Sequence, residues 1–485
     1  MTLVFQSSSQ NSGVSVSNGD ALVIRDFVDI FTAGTGVTLS AGAGLTSVLN
    51  HGDIYAYLTF NVNTNSSRVV NYGTASAIIS AGNTGEAINL GGAGGLHTIT
   101  NFGTITAQGD LIVTYESTGP QIITFTNHGV AETDRNILSA TSLNLTVFDL
   151  NNSGYLKGGY LDMSATSWAR LINTGTMHVD RIYMNSDFFP TLINHGVISG
   201  PFARSRIFMS DSQDFVINSG TMVATLDLGP EADRYEGIGA GVVTEGISGD
   251  GGNDTLAGGD VADLIDGRAD QDKLVGRGGD DTLLGGAGFD TLVGGDGNDS
   301  MDGGNNHDTL IGNDGDDTLQ GGFGNDVLVG QSGDDQMQGG PGNDTIDGGQ
   351  GNDILEGGGD TDVLRGRAGE DDLTGGLGLD FLTGGPDADS FVFRSLAEAG
   401  IGATRDQILD FEKGLDVISV AGLSPGVFEF RGMAAFAPSG NPELRLVETA
   451  NGSTIVQIDN NGDGVTDAEI RVGGVTGLTA DDFVL

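Results

Sequence analysis

Residues 339–358 read GGPGNDTIDGGQGNDILEGG, one nine-residue phrase written twice. From Gly249 to Val392 the chain divides into sixteen consecutive nonapeptides of this kind, with no insertion. The first position is glycine and the sixth aspartate in every one. The eighth is always apolar, running Leu256, Ile265, Leu274, Leu283, Leu292, Met301 and so on to Phe391. A flexible glycine-rich linker has no reason to hold two positions in register for so long. The phrase predicts a turn over GGxGxD and a short strand over the last three residues, with the central side chain inward. Glycines permit positive φ and let successive turns stack backbone to backbone. Each repeat is then half a coil, so repeats i and i+2 share an edge.

The GGxGxDxUx pattern resembles the RTX (hemolysin-type calcium-binding) repeat family, over about 144 of the 485 residues. The resemblance implies a calcium-binding parallel β-roll. Calcium takes six to eight oxygens, carboxylate and carbonyl together, at about 2.3–2.6 Å. Stacked turns supply that mixture, a carboxylate from one facing backbone carbonyls of the next. The candidate carboxylate ligands are Asp254, Asp263, Asp272, Asp281, Asp290, Asp299, Asp308, Asp317, Asp326, Asp335, Asp344, Asp353, Asp362, Asp371 and Asp380. Candidate fourth-position carbonyls are those of Gly279, Gly288, Gly297, Gly324, Gly342 and Gly351. Sixteen repeats leave at most about fourteen such gaps for Ca2+. Some turns depart from the pattern, at position two (Asp250, Arg268, Arg277, Asn313, Gln331, Arg367) and at position four (Val261, Asp270, Asn306, Asp360, Asp387). The safest sites are therefore those of the middle, around Asp281–Asp299 and Asp326–Asp353.

The block carries 32 acidic against five basic residues, a net charge of −27. Its core is one apolar side chain per nine residues, too little to offset backbone ordering of roughly 1–2 kcal/mol per residue. Metal binding is then expected to be folding free energy.

A looser repeat occupies the first 222 residues. Asn-x-Gly followed by a β-former recurs as NHGDI at Asn50, NYGTA at Asn71, NFGTI at Asn101, NHGVA at Asn127, NSGYL at Asn152, NTGTM at Asn173, NHGVI at Asn194 and NSGTM at Asn218. The spacing is that of one coil of a parallel β-solenoid. Asparagine tolerates left-handed turn geometry, and stacked amides can hydrogen-bond from coil to coil. A β-sandwich with regular turns is the competing reading. Residues 223–248 form a transition in which Glu236/Ile238 and Glu245/Ile247 keep an acid-x-apolar spacing. The segments are thus 1–222, 223–248, 249–392 and a β-rich cap over 393–485, an all-β chain throughout.

After Phe391 the chain reads FVF (Phe391–Phe393), then DQILDFEKGLDVI (Asp406–Ile418), and ends DDFVL (Asp481–Leu485). This resembles the C-terminal flank of RTX proteins exported by type I secretion, and implies an uncleaved C-terminal address, the secretion machinery as partner and an extracellular destination. The N-terminus, MTLVFQSSSQ, lacks the basic start and apolar run of a Sec signal peptide. At 459–470, DNNGDGVTDAEI opens like an EF-hand loop, but Ile470 stands where a bidentate glutamate belongs. A hairpin turn is the expectation there, with a calcium site as the alternative.

Acidic residues number 66 against 20 Lys and Arg, a net charge of −46, which repels nucleic acid and anionic membranes. There is no cysteine, hence no disulfide and no thiolate zinc site. No stretch reaches the roughly 20 apolar residues of a membrane span. The histidines, His51, His97, His128, His178, His195 and His307, form no HExxH, and no GxSxG or P-loop occurs. His51, His128 and His195 share the NHG turn and are expected exposed at coil edges. The chain is expected to be no enzyme but a structural or adhesive protein, whose solenoid attaches to cell-surface or matrix glycans. The alternatives are a carbohydrate-active enzyme with a β-helical catalytic domain and, lacking any long apolar pore-forming stretch, a toxin.

Overall fold

A computed structural model describes strand segments between residues 2 and 92 and, from residue 95, every residue except 118–119, 141–144, 166, 201–204 and 425. It comprises two compact units, residues 1–264 and 265–485. No helix among the described residues is long and apolar enough to cross a membrane.

The first unit is a parallel β-solenoid with three columns of strands. One column stacks Gly95–Asn101, Gln121–Asn127, Leu145–Asn152, Trp168–Asn173, Thr191–Asn194, Phe215–Asn218, Arg234–Gly237 and Thr255–Ala257, each parallel to the next. A second runs through Thr104–Ala107, Val130–Thr133 and the start of Tyr155–Asp162. The third includes Ile112–Ser117, Leu138–Ala140, Arg206–Phe208 and Thr225–Asp227. Parallel pairing at coil-length offsets is incompatible with a sandwich of hairpins.

Alternation along each strand turns every second side chain inward. In the first column this makes one buried file: Val69, Ile99, Phe125, Leu150, Leu171, Leu192, Val216, Tyr235 and Leu256, each in register with the next. Its last member is the eighth-position residue of the first nonapeptide. From Asn71 to Asn218 the repeat asparagines sit at the ends of these strands, extended rather than left-handed, because their amides face inward and are buried. His128 and His195 follow them, exposed, each bonding from Nδ1 to a serine hydroxyl one coil on, Ser153 and Ser219, at 2.6 Å. His51 and the insertion residues 78–87 lie outside the described residues.

The second unit begins as a two-faced roll. One stack runs from Lys273–Gly278 through Thr291–Asp296, Thr309–Asp314, Val327–Ser332, Thr345–Gln350 and Val363–Ala368 to Phe381–Thr383. The other runs from Thr282–Ala287 through Ser300–Asn305, Thr318–Phe323, Gln336–Pro341, Ile354–Asp360 and Asp372–Gly378 to Ser390–Val392. Most of these strands span six residues, not three. Pairing continues into the turn, as in Arg277↔Gly295 and Gly278↔Asp296, because stacked glycine corners bring their backbones within ladder distance.

The remainder closes the roll. Gln407–Ile408 and Val417–Ser419 add one rung to each stack, setting Ile408 on Leu382 and Ile418 on Phe391. The terminal strand Phe483–Val484 pairs with Val417–Ser419. An antiparallel meander, Glu443–Glu448, Thr454–Asp459 and Ala468–Val472, reaches back through Gln407↔Arg471. The EF-hand-like loop is the hairpin between two of these strands. Asp459 there accepts backbone N–H groups from Gly462 at 2.7 Å and Gly464 at 2.7 Å, the work of a turn residue.

Candidate metal centre: the aspartate ladders

The sixth-position aspartates form two files, one along each edge of the roll. The backbone N–H of each donates to Oδ1 of the aspartate eighteen residues on. Asp272 gives to Asp290, Asp290 to Asp308, Asp308 to Asp326 and Asp326 to Asp344, all at 2.8 Å. The other edge runs Asp281, Asp299, Asp317, Asp335 and Asp353 at 2.8–2.9 Å. Both files pass into the cap, where Asp380 N–H meets Asp406 and Asp389 N–H meets Asp416 at 2.9 and 3.1 Å.

One oxygen of each carboxylate is thus used by the fold. The other, Oδ2, is buried from Asp290 through Asp389 and again at Asp406, and accepts no hydrogen bond from any protein donor. Burial costs such a group heavily unless a cation or donor meets it. Loss of water is accordingly the first cause raising the carboxyls of Asp308, Asp317, Asp335, Asp344 and Asp371 to about 7, and Asp362 to about 8. The backbone N–H bonds pull the other way and are outweighed; the neighbouring carboxylates in the file add to the rise.

Carbonyl oxygens share this space. A Cβ on Gly330 would overlap Asp335 Oδ2 and lie 2.6 Å from the oxygen of Gly348, the first residue two repeats on. Glycine at position one therefore leaves room for a carboxylate and a carbonyl side by side. The fourth-position carbonyls of Gly279, Gly297, Gly324 and Gly351 point across the gap at Gly297, Gly315, Gly342 and Gly369, each where a Cβ would be. Gly288 in turn receives the carbonyl of Asp270. Val261 departs in backbone as well as side chain, having no positive φ, but Arg268, Asp270, Arg277, Asn306, Asn313, Gln331, Asp360, Arg367 and Asp387 are all held at φ of +75° to +88°. At these positions the side chain is replaced but the turn keeps its shape.

Among the described residues no three acidic or histidine side chains gather around a point. Each gap instead offers a carboxylate oxygen among main-chain carbonyls, a donor set of hard oxygens that suits calcium and gives nothing to a thiophilic metal. The residues present fit the ion. When bound, calcium would supply the positive charge that the stacked carboxylates lack.

Some members of the ladder were not legible as such. Asp214, Asp233 and Asp254 form a ladder of the same kind within the first unit, Asp214 N–H donating to Asp233 Oδ1 and Asp233 N–H to Asp254 Oδ1, both at 2.7 Å. The expected pair Glu236/Ile238 is not the one that carries the register, since Ile238 is 47% exposed while Tyr235 is fully buried. The usable signal was Asp-x-apolar at coil spacing, Asp214/Val216 and Asp233/Tyr235. A second, outer file occupies position five. Asn298 N–H donates to Asp280 Oδ1, Asp316 N–H to Asn298 Oδ1 and Asp334 N–H to Asp316 Oδ1, at 2.9–3.0 Å.

Comparison with known proteins agrees with this geometry. A family model described as the RTX calcium-binding nonapeptide repeat (4 copies) matches at 248–283, 275–310, 302–337, 311–346, 329–364 and 356–391. No curated protein sequence matches the chain. Among solved structures it is similar to the solution structure of the AlgE6R3 subunit of the Azotobacter vinelandii mannuronan C5-epimerase. That match has 24% identity and covers 37% of this chain and 78% of the other, at a TM-score of 0.19, too low to carry an argument. The sixteen glycine corners, the stacked carboxylates and the family match together identify residues 248–391 as RTX calcium-binding repeats, folded as a β-roll.

Proposed function

We propose that the protein is secreted, that its roll folds on taking up calcium outside the cell, and that its solenoid serves a structural or adhesive role without catalysis. The observation that carries this reading is the buried Oδ2 file from Asp290 to Asp389. A cytosol poor in calcium leaves those carboxylates repelling one another, so the chain stays open for export. Millimolar calcium outside then closes it. The C-terminal resemblance to type I substrates supports the same route.

The solenoid supports the adhesive part through an outward strip on three successive coils. Tyr160, Arg181 and Arg206 are in register, as are Tyr183 and Phe208. The Tyr183 and Phe208 rings stack at 5.2 Å, and Arg181 lies 5.7 Å over the Tyr160 ring. Ring faces suit sugar rings, and guanidinium groups suit carboxylate or sulfate. The test is retention of the full chain on an acidic glycan surface. Retention in calcium, abolished by Arg181→Ala with Arg206→Ala, is expected. Equal retention by the double variant would overturn the reading; chelator should change retention little, because the solenoid's amide file closes without a cation.

A further inference from the structure

We propose that the first calcium site lies one coil before the recognised repeats, between the turn at 228–233 and the turn at 249–254, with Asp233 as its carboxylate ligand. The sequence LGPEAD hides this turn, because Leu228 and Glu231 stand where the repeat has glycines. The backbone nonetheless takes the repeat's conformation. Gly229 and Glu231, at positions two and four, have φ of +95° and +97°, matching Asp250 and Gly252 at +73° and +112°. Pro230 bridges in parallel to Gly251. The carbonyl of Glu231 points at Gly252, where a Cβ would overlap it.

Turn shape alone would establish nothing. The independent observation is Asp233 itself: it is 3% exposed, its Oδ1 is used by Asp214 N–H, and its Oδ2 is buried with no hydrogen-bond partner. The coil before shows what a satisfied counterpart looks like. Asp214 receives Ser210 N–H on Oδ2 at 2.9 Å and the Ser210 hydroxyl on Oδ1 at 3.0 Å. The ladder ends there on serine, with both carboxylate oxygens hydrogen-bonded. At Asp233 no such donor exists, and a hard divalent cation held by this carboxylate and main-chain carbonyls of the two turns supplies the charge. The bulk of Leu228 in place of the first glycine predicts weaker binding than in the repeats.

The inference rests on the calcium reading of the repeats, and a spectroscopic test separates the two. All eight tyrosines and the single tryptophan lie at or before Tyr235, two residues from Asp233, and none occurs in 236–485. Terbium(III) replacing calcium at the proposed site should therefore emit when Tyr235 is excited. The calcium-stripped full chain is titrated with terbium, counting bound ions separately. Tyrosine-sensitised emission is expected, lost in Tyr235→Phe at unchanged ion count, and lost in Asp233→Asn with one ion fewer. Asp233→Asn keeps the acceptor for Asp214 N–H. Emission unchanged in Tyr235→Phe, or an unchanged ion count in a folded Asp233→Asn, would overturn the site while leaving the repeats' own sites intact. No bound terbium at all would sink both.

Discussion

The two units stack polar side chains in opposite ways. In the solenoid, Asn71, Asn101, Asn127, Asn152, Asn173, Asn194 and Asn218 form a buried amide file, each Nδ2 donating to the next Oδ1 at 2.8–2.9 Å. Most of those Nδ2 groups also reach a backbone carbonyl one coil on, such as Val130 from Asn101 at 3.0 Å. An amide carries donor and acceptor together, so the file closes on itself with no net charge. In the roll the same trick is attempted with aspartate. An ionised carboxylate only accepts, so backbone N–H groups satisfy one oxygen and the other is left over from Asp290 through Asp389. One ladder is complete by itself, and the other requires a cation.

Proton supply should distinguish them most strongly. In metal-free protein the roll carboxyls hold their protons up to about 6 at Asp353, about 7 at Asp335 and about 8 at Asp362. Unfolded aspartate titrates near about 4. Between those values the folded form binds more protons, so metal-free stability rises as pH falls from about 8 towards 5, and is lost on the way back up. With saturating calcium the trend should invert, since protons compete with the ion. The asparagine file, which carries no titratable group, should contribute neither slope. Melting temperature against pH, in chelator and in calcium, reads all three.

Exchanging the two chemistries sharpens the contrast. Asn173→Asp removes the donor to Asn194 Oδ1 and to the Val197 carbonyl, and sets acceptor against acceptor. A loss of at least about 1–3 kcal/mol is expected, with or without calcium, partly recovered at acidic pH. Asp335→Asn keeps an acceptor for Asp317 N–H and removes a buried charge. It should stabilise the metal-free roll by about 1–3 kcal/mol and lower the ion count by one. Chemical denaturation of Asn173→Asp in calcium and in chelator, and for Asp335→Asn an upward shift of the pH at which the metal-free roll folds, check the opposite signs. The smallest effect belongs to the exposed outer file. Asn343→Ala deprives Thr361 N–H of its 3.1 Å partner and should cost about 0.5 kcal/mol, measured by chemical denaturation in calcium.

Both ladders could be seen in the sequence where their spacing was constant or their phrase distinctive. The nonapeptides fixed the roll's register because position six and position eight never slip. NxG located the coil ends of the solenoid, but suggested a left-handed turn. Burial of the amide file instead keeps Asn101 and its counterparts extended. What escaped notice were rungs with irregular intervals. Asp406 and Asp416 follow Asp380 and Asp389 by 26 and 27 residues instead of eighteen, because the helix Leu396–Ala399 and the turn before Asp416 intervene. Their Asp-x-Ile spacing appeared only as part of an export-like motif. Asp214 and Asp233 were lost for the same reason, and because Leu228 and Glu231 disguise the turn.

The most direct test of the contrast is amide hydrogen exchange on the full chain at neutral pH, in calcium and after its removal by chelator. The account predicts protected amides over 95–218 in both conditions, and over 272–416 only with calcium. Equal protection of 272–416 in chelator would show that the carboxylate files need no cation, and would contradict it.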